Sequence, residues 1–210
     1  MIISHRHKYI FFAIPKTGTH AVRQALREGM GEDDLEQVGL FVDRRFPFPE
    51  FAGIRHGHLS AQQIRPVLGD ATYEAYTKFG FVRNPFDRFV SYCAFMSRGQ
   101  AHMQARPLDF MKWIVREHKP VDHILYQPQH LLLTDAGGRL DIDIVGRNET
   151  MQASYDAICA RIGIPSAPLE RVNASEHRPW RDYYDRELRE LVAGVYARDL
   201  ELFDYSFDGP

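Results

Sequence analysis

Apolar and polar residues alternate along this chain in two distinct rhythms. Residues 9–14, Tyr-Ile-Phe-Phe-Ala-Ile, are an unbroken apolar, aromatic and β-branched run, which predicts a strand buried on both faces. Residues 78–82, Lys-Phe-Gly-Phe-Val, carry the same signature, and residues 141–146, Asp-Ile-Asp-Ile-Val-Gly, predict a third strand. A short strand is also expected over 54–59. Between these runs the spacing becomes helical. Ala21, Val22, Ala25 and Leu26 predict a helix over 20–28, closed by Gly29 and Gly31. Ser60 caps a helix to about 68, and Asn84 caps one to about 98 with Pro85 at its first position, where the missing N–H costs nothing. Further helices are expected over 108–118, 150–162 and 184–203, the last from Leu188, Leu191, Val192, Val195 and Leu202. Residues 127–133 fit either element. Buried strands separated by helices predict an α/β fold: a single domain over 1–210 with a central, mostly parallel sheet flanked by helices. Two stretches depart from this rhythm. Residues 32–53, with Pro47 and Pro49, read as a surface excursion, and residues 99–130 as a helical and loop insertion.

Composition narrows the classes available. The 210 residues are 44% hydrophobic and 26% charged with a net charge of −2, so the chain has enough apolar material to fold and no broad basic field for nucleic acid. No apolar run approaches the roughly 18 residues of a membrane span. Cys93 and Cys159 are too few for a secreted disulfide framework. The basic and apolar start resembles a signal peptide, but a Pro-Lys-Thr-Gly-Thr turn stands where a small-residue cleavage site would. The expectation is a cytoplasmic protein.

Chemistry concentrates at the first strand-to-helix turn, Pro15-Lys16-Thr17-Gly18-Thr19. Such a turn points backbone N–H groups outward at the positive end of the helix dipole, which suits an anion. Gly18 permits close approach, Lys16 adds a charge, and Thr17 and Thr19 add hydroxyls. The order differs from the nucleoside-triphosphatase loop, in which Lys follows the second Gly and a hydroxyl residue binds magnesium. Here Lys16 precedes Gly18.

A second element begins where the next strand ends, Arg83-Asn-Pro-Phe-Asp-Arg-Phe-Val-Ser91. Seven residues separate Asn84 from Ser91, about two helical turns, so cap and serine share a face. These two elements, in this order, resemble those of the sulfotransferases that use 3′-phosphoadenosine 5′-phosphosulfate (PAPS). The chain is closest to the carbohydrate sulfotransferase branch, and its fold is then P-loop-like. The resemblance implies that the first loop binds the 5′-phosphosulfate and that Arg83 and Ser91 bind the 3′-phosphate. The implied donor-binding set is Lys16, Thr17, Gly18, Thr19, His20, Arg83 and Ser91.

Between the two elements, His56-Gly-His58-Leu-Ser60 resembles the family segment whose histidine takes the acceptor proton. Residues two apart on a strand face one side, and a near-neutral imidazole suits that role. The implied catalytic residues are Lys16 and His58, with His56 assisting or binding substrate. A metal reading of His-x-His lacks a third ligand at recognisable spacing, and no metal is expected. The resemblance weakens through 143–149 and 184–205; residues 173–181 are the expected counterpart of a late loop over the nucleotide.

The acceptor implied is a hydroxyl, on a saccharide by the likeness to the carbohydrate branch. Arg44, Arg45, Arg98, His102 and Arg106 fit an acidic sugar chain, although a solvated basic face is the commoner reading of such clusters. Two other functions remain open: a small nucleotide-dependent kinase, which would bind Mg·ATP, and a nucleotide-binding protein without catalysis.

Overall fold

The computed structural model describes residues 1–39, 44–99, 102–170 and 178–209. The chain divides into two compact units, Met1–Val82 with His130–Val172, and Arg83–Gln129 with Asn173–Pro210.

The first unit is organised by strands β1 (Ile2–Ser4), β2 (Tyr9–Phe12), β3 (Leu35–Glu36), β4 (Thr77–Val82) and β5 (Ile144–Arg147), in the sheet order β3-β1-β2-β4-β5. The three runs read as strands from their apolar pattern, β2, β4 and β5, pair in parallel, with Phe11 opposite Phe79 and Phe81 opposite Gly146. Antiparallel β1 and β3 extend one edge, with Ile2 opposite both Phe11 and Glu36. Every residue of β2 is buried, because helices cover both faces and leave no polar side to the strand. Phe11 and Phe79 stack at 5.4 Å, and Val22, Leu26, Tyr155 and Ile158 close over them. Those four side chains come from helices α1 (Thr19–Arg27) and α8 (Met151–Ile162), the latter ending at Gly163 with φ 72°. Phe12 lies opposite Gly80, and β4 continues to Val82. Being parallel, β2 and β4 therefore release the chain at the same edge of the sheet.

The remaining helices of this unit are α2 (Ala61–Leu68), α3 (Asp70–Ala75) and α7 (His130–Leu133). In α2 Ser60 and Gln63 form a full capping box. The expected strand over 54–59 does not form. Carbonyls that a neighbouring strand would take are bound otherwise: Gln37 Nε2 donates to His56 O at 3.0 Å, and the Met1 nitrogen donates to Gly57 O at 2.8 Å. The 32–53 stretch also differs from a surface excursion. It supplies β3, and Gln37, Val38, Phe46 and Phe51 are buried. Gln37 holds it in place, since its Oε1 accepts the Phe46 N–H at 3.1 Å.

The second unit is helical: α4 (Pro85–Met96), α5 (His102–Ala105), α6 (Pro107–Trp113), α9 (Arg186–Val195) and α10 (Ala197–Leu202). Phe86, Phe89, Val90, Cys93, Met111, Ile114, Leu188 and Val192 make its core. The helix expected over 108–118 is α6 followed by a wider π-type turn, Ile114–His118. The single closing helix expected over 184–203 breaks at Tyr196 (φ −110°, ψ 24°), whose buried hydroxyl donates to Tyr126 O at 2.8 Å.

Candidate active site

The turn after β2 adopts the shape its sequence suggests. Lys16 has φ 68° and Gly18 φ 80°, whereas Thr17 between them is not left-handed. Such alternation turns successive N–H groups to one side, the arrangement of an anion nest. A left-handed lysine is strained, and strain of this kind collects where backbone geometry serves binding. Among the described residues no side chain caps α1 at Gly18, and Ala21 N–H bonds Gly18 O at 3.1 Å, so the amides at the very start of the helix, of Thr19 and His20, are the ones that suit a ligand.

Neighbours fix the loop from within the same unit. Thr17, fully buried, donates its hydroxyl proton to Ile14 O at 2.9 Å. Its hydroxyl thus braces the loop instead of presenting a donor outward, as the sequence reading expected. Asn148 Nδ2 donates to Thr17 O at 3.2 Å. Because a trans peptide holds C=O and N–H in opposite directions, this bond aims the Gly18 N–H away from Asn148. A Cβ on Gly18 would lie 2.1 Å from Met151 Cε, which a flexible methionine can yield, so it is the left-handed φ of 80° that favours glycine here. Thr19 is buried and His20 half-buried at the head of α1.

The paired histidines lie together without a strand to carry them. Their ring centroids are 5.8 Å apart, and Gly57 between them passes so close to Gln37 O that a Cβ would sit 2.2 Å from it. His58 Nδ1 stands 2.6 Å from Ala13 O. A carbonyl can only accept, so Nδ1 carries the proton and Nε2 presents its lone pair. His56 has the opposite form. Its Nδ1 accepts the His58 backbone N–H at 3.3 Å, so its proton resides on Nε2. Burial pushes the His58 pKa down to about 3 despite the Ala13 bond, with smaller contributions from the charges of Met1, His56 and Arg23. His56 is also lowered, chiefly by burial. His58 is therefore a neutral imidazole with an acceptor nitrogen, anchored to the residue that follows β2, and at about 3 it is a weaker base than the near-neutral imidazole the sequence led one to expect.

At the second element, Asn84 Oδ1 accepts the Phe86 N–H at 3.1 Å, and its Nδ2 donates to Ser206 O and Gly209 O at 2.8 and 3.1 Å. Buried Gln129 brackets the Arg83 backbone, accepting its N–H and donating to its O, both at 2.9 Å. The Arg83 guanidinium grips Asp87 in a fork, Nε to Oδ2 at 2.7 Å and Nη2 to Oδ1 at 2.8 Å. Sequence reasoning assigned Arg83 to a phosphate and gave Asp87 no part. The i,i+4 spacing was the signal that could have found it. Ser91 is half-buried on α4, and its hydroxyl makes no hydrogen bond among the described residues. Of the late-loop residues 173–181, positions 173–177 lie outside the described residues.

The comparison with protein families decides the identity: the model of the sulfotransferase family matches residues 1–206, through both compact units. The chain belongs to the sulfotransferase family. No curated protein and no solved structure matches it. Membership makes the protein a transferase of sulfuryl groups and gives the strand–loop–helix of β2 and α1 its place in a P-loop-like fold. Among the described residues, no group of three or more His, Cys, Asp or Glu is placed to hold a metal, and no helix is long and apolar enough to cross a membrane.

Proposed function

We propose that this sulfotransferase uses PAPS as donor and a saccharide hydroxyl as acceptor. The observation that carries the reading is the span from Ala13 to Thr19. Ala13 holds His58 with Nε2 as its acceptor nitrogen, and the next few residues form an anion nest with Lys16 in it. The donor, when bound, supplies a sulfuryl group on a phosphate leaving group. His58 Nε2 takes the acceptor's hydroxyl proton as the new S–O bond forms. Lys16 and the loop amides neutralise the charge left on the phosphate as the old S–O bond breaks. Arg83 and Ser91 are the anchors assigned to the 3′-phosphate, and engaging it requires Arg83 to share its fork with Asp87.

The saccharide assignment is supported in the second unit by a cavity of about 480 Å³ lined by His102, Ala105, Arg106, Asp109, Phe110 and Trp113. Flat rings beside an arginine and a carboxylate suit a sugar, whose C–H faces lie on rings and whose hydroxyls bond the charged groups. The two buried free cysteines support the cytoplasmic reading. Transfer of label from ³⁵S-PAPS to a panel of neutral and uronate-bearing oligosaccharides, with a chelator present, tests the proposal. The expected result is labelled saccharide without added magnesium. Label on none of the panel, together with phosphorylation from Mg·ATP, would overturn it in favour of a kinase.

A further inference from the structure

At the head of α1, His20 and Arg23 are one turn apart, and helical side chains lean toward the N-terminus. Arg23 accordingly reaches back, placing Nη2 3.0 Å from His20 Nδ1. A guanidinium only donates. His20 Nδ1 therefore accepts, and its one proton sits on Nε2. An imidazolium would set N–H against N–H at this contact. The surroundings agree: burial and the charges of Arg23 and Arg27 hold the His20 pKa below the usual histidine range, and a helix N-terminus acts in the same direction.

Arg23 is held with unusual firmness. It is 8% exposed, and its Nε lies 3.6 Å from the Glu36 carboxylate. Glu36, itself buried, is shared with Arg27 at 2.8 Å and Arg44 at 3.2 Å. Among the described residues Arg23 Nε nonetheless makes no hydrogen bond. What Arg23 does complete is the bond to His20.

We propose that Arg23 is a positioning residue for sulfuryl transfer: by donating to Nδ1 it holds His20, already in the implied donor-binding set, as the Nε2–H tautomer, whose N–H bonds an oxygen of the phosphosulfate at the start of α1. The inference rests on the sulfuryl-transfer reading above. His20 and His58 are then locked in opposite tautomers by two donor-or-acceptor-only partners, Arg23 and the Ala13 carbonyl. The first donates and cannot take a proton; the second accepts one. A neutral N–H steadies an anionic oxygen without delivering a proton to it, so the acceptor's proton has one destination.

Long-range ¹H–¹⁵N correlation of the imidazoles in the labelled full chain at neutral pH reads both tautomers directly, with His20→Gln and His58→Gln supplying assignments. The expected spectrum has His20 protonated at Nε2, His58 protonated at Nδ1, and a shift of the His20 Nε2 signal on adding adenosine 3′,5′-bisphosphate. Arg23→Met should release His20 into a tautomer mixture and cut kcat about tenfold with little change in KM for the donor. Arg23→Lys, still a donor, should restore the tautomer, and His20→Gln should keep more activity than His20→Ala. An Nδ1-protonated or charged His20 in the parent chain overturns the inference. So does bisphosphate that binds without moving the His20 signal, an outcome that leaves the sulfuryl-transfer reading standing. Absence of any bisphosphate binding overturns that reading itself. If Arg23→Met does not fold, the parent spectrum with Arg23→Lys and His20→Gln decides.

Discussion

The two strand-to-helix junctions of this protein are built from similar parts to opposite ends. After β2 the chain enters α1 through a lysine and a glycine in left-handed conformations, and no side chain among the described residues caps the helix. After β4 it enters α4 through Asn84, which caps the helix, and Arg83, which is already forked onto Asp87. The first junction turns on a strained, left-handed Lys16 and is braced by Thr17 and Asn148. The second satisfies itself internally and must trade partners to take a phosphate. Preorganisation of the first kind favours a transition state, whereas exchange of the second kind suits an anchor that binds and releases.

That contrast is broken most severely by removing the base at the first junction. His58→Ala should lower kcat for sulfuryl transfer by about 10²–10⁴-fold, and Gly18→Ala should cost about tenfold, since alanine resists the left-handed backbone at φ 80° by about 1–2 kcal/mol. Steady-state rates with circular dichroism as a folding control check both. Arg83→Ala comes next, with an expected loss of about 10–100-fold in affinity for adenosine 3′,5′-bisphosphate and a smaller loss for a nucleotide lacking the 3′-phosphate. Asp87→Asn should move the same affinity only a few-fold, upward, because it removes a competing charge while keeping a hydrogen-bond acceptor; a fall would mean that Asp87 orients Arg83 instead. Asn84→Ala should cost about 2 kcal/mol of stability, from one cap and two carbonyls left unpartnered, and lower Tm by about 4–8 °C.

The histidine gives the comparison a pH dependence with a defined sign. His58 is held near 3 in the folded chain and returns to the ordinary 6.5 when unfolded. Between those values the unfolded chain binds the extra proton, so its contribution to stability is complete above about 6.5 and declines as pH falls toward 3. Urea midpoints measured across that window should fall with acidification, and less steeply in His58→Gln.

The buried strands were legible in the sequence because burial on both faces writes itself as a continuous apolar run, as at 9–14 and 78–82. The caps at Ser60 and Asn84 were legible because capping chemistry is local. What stayed hidden depends on partners distant in sequence. Residues 54–59 look like a strand until Gln37 and Met1 take their carbonyls. Residues 32–53 look like a solvent-exposed loop until Phe46 and Phe51 are seen buried. At the candidate site the residue types were readable and their states were not. Whether a histidine donates or accepts is set by Ala13 and Arg23, and no spacing along the chain announces that.

The most direct measurement is calorimetric titration of the full chain with adenosine 3′,5′-bisphosphate and, separately, with Mg·ATP. Saturable one-site binding of the bisphosphate, independent of magnesium and weakened about tenfold or more by Lys16→Ala, is the predicted result. Tighter binding of Mg·ATP, or bisphosphate binding indifferent to Lys16, would contradict the assignment of the first junction as the donor's seat.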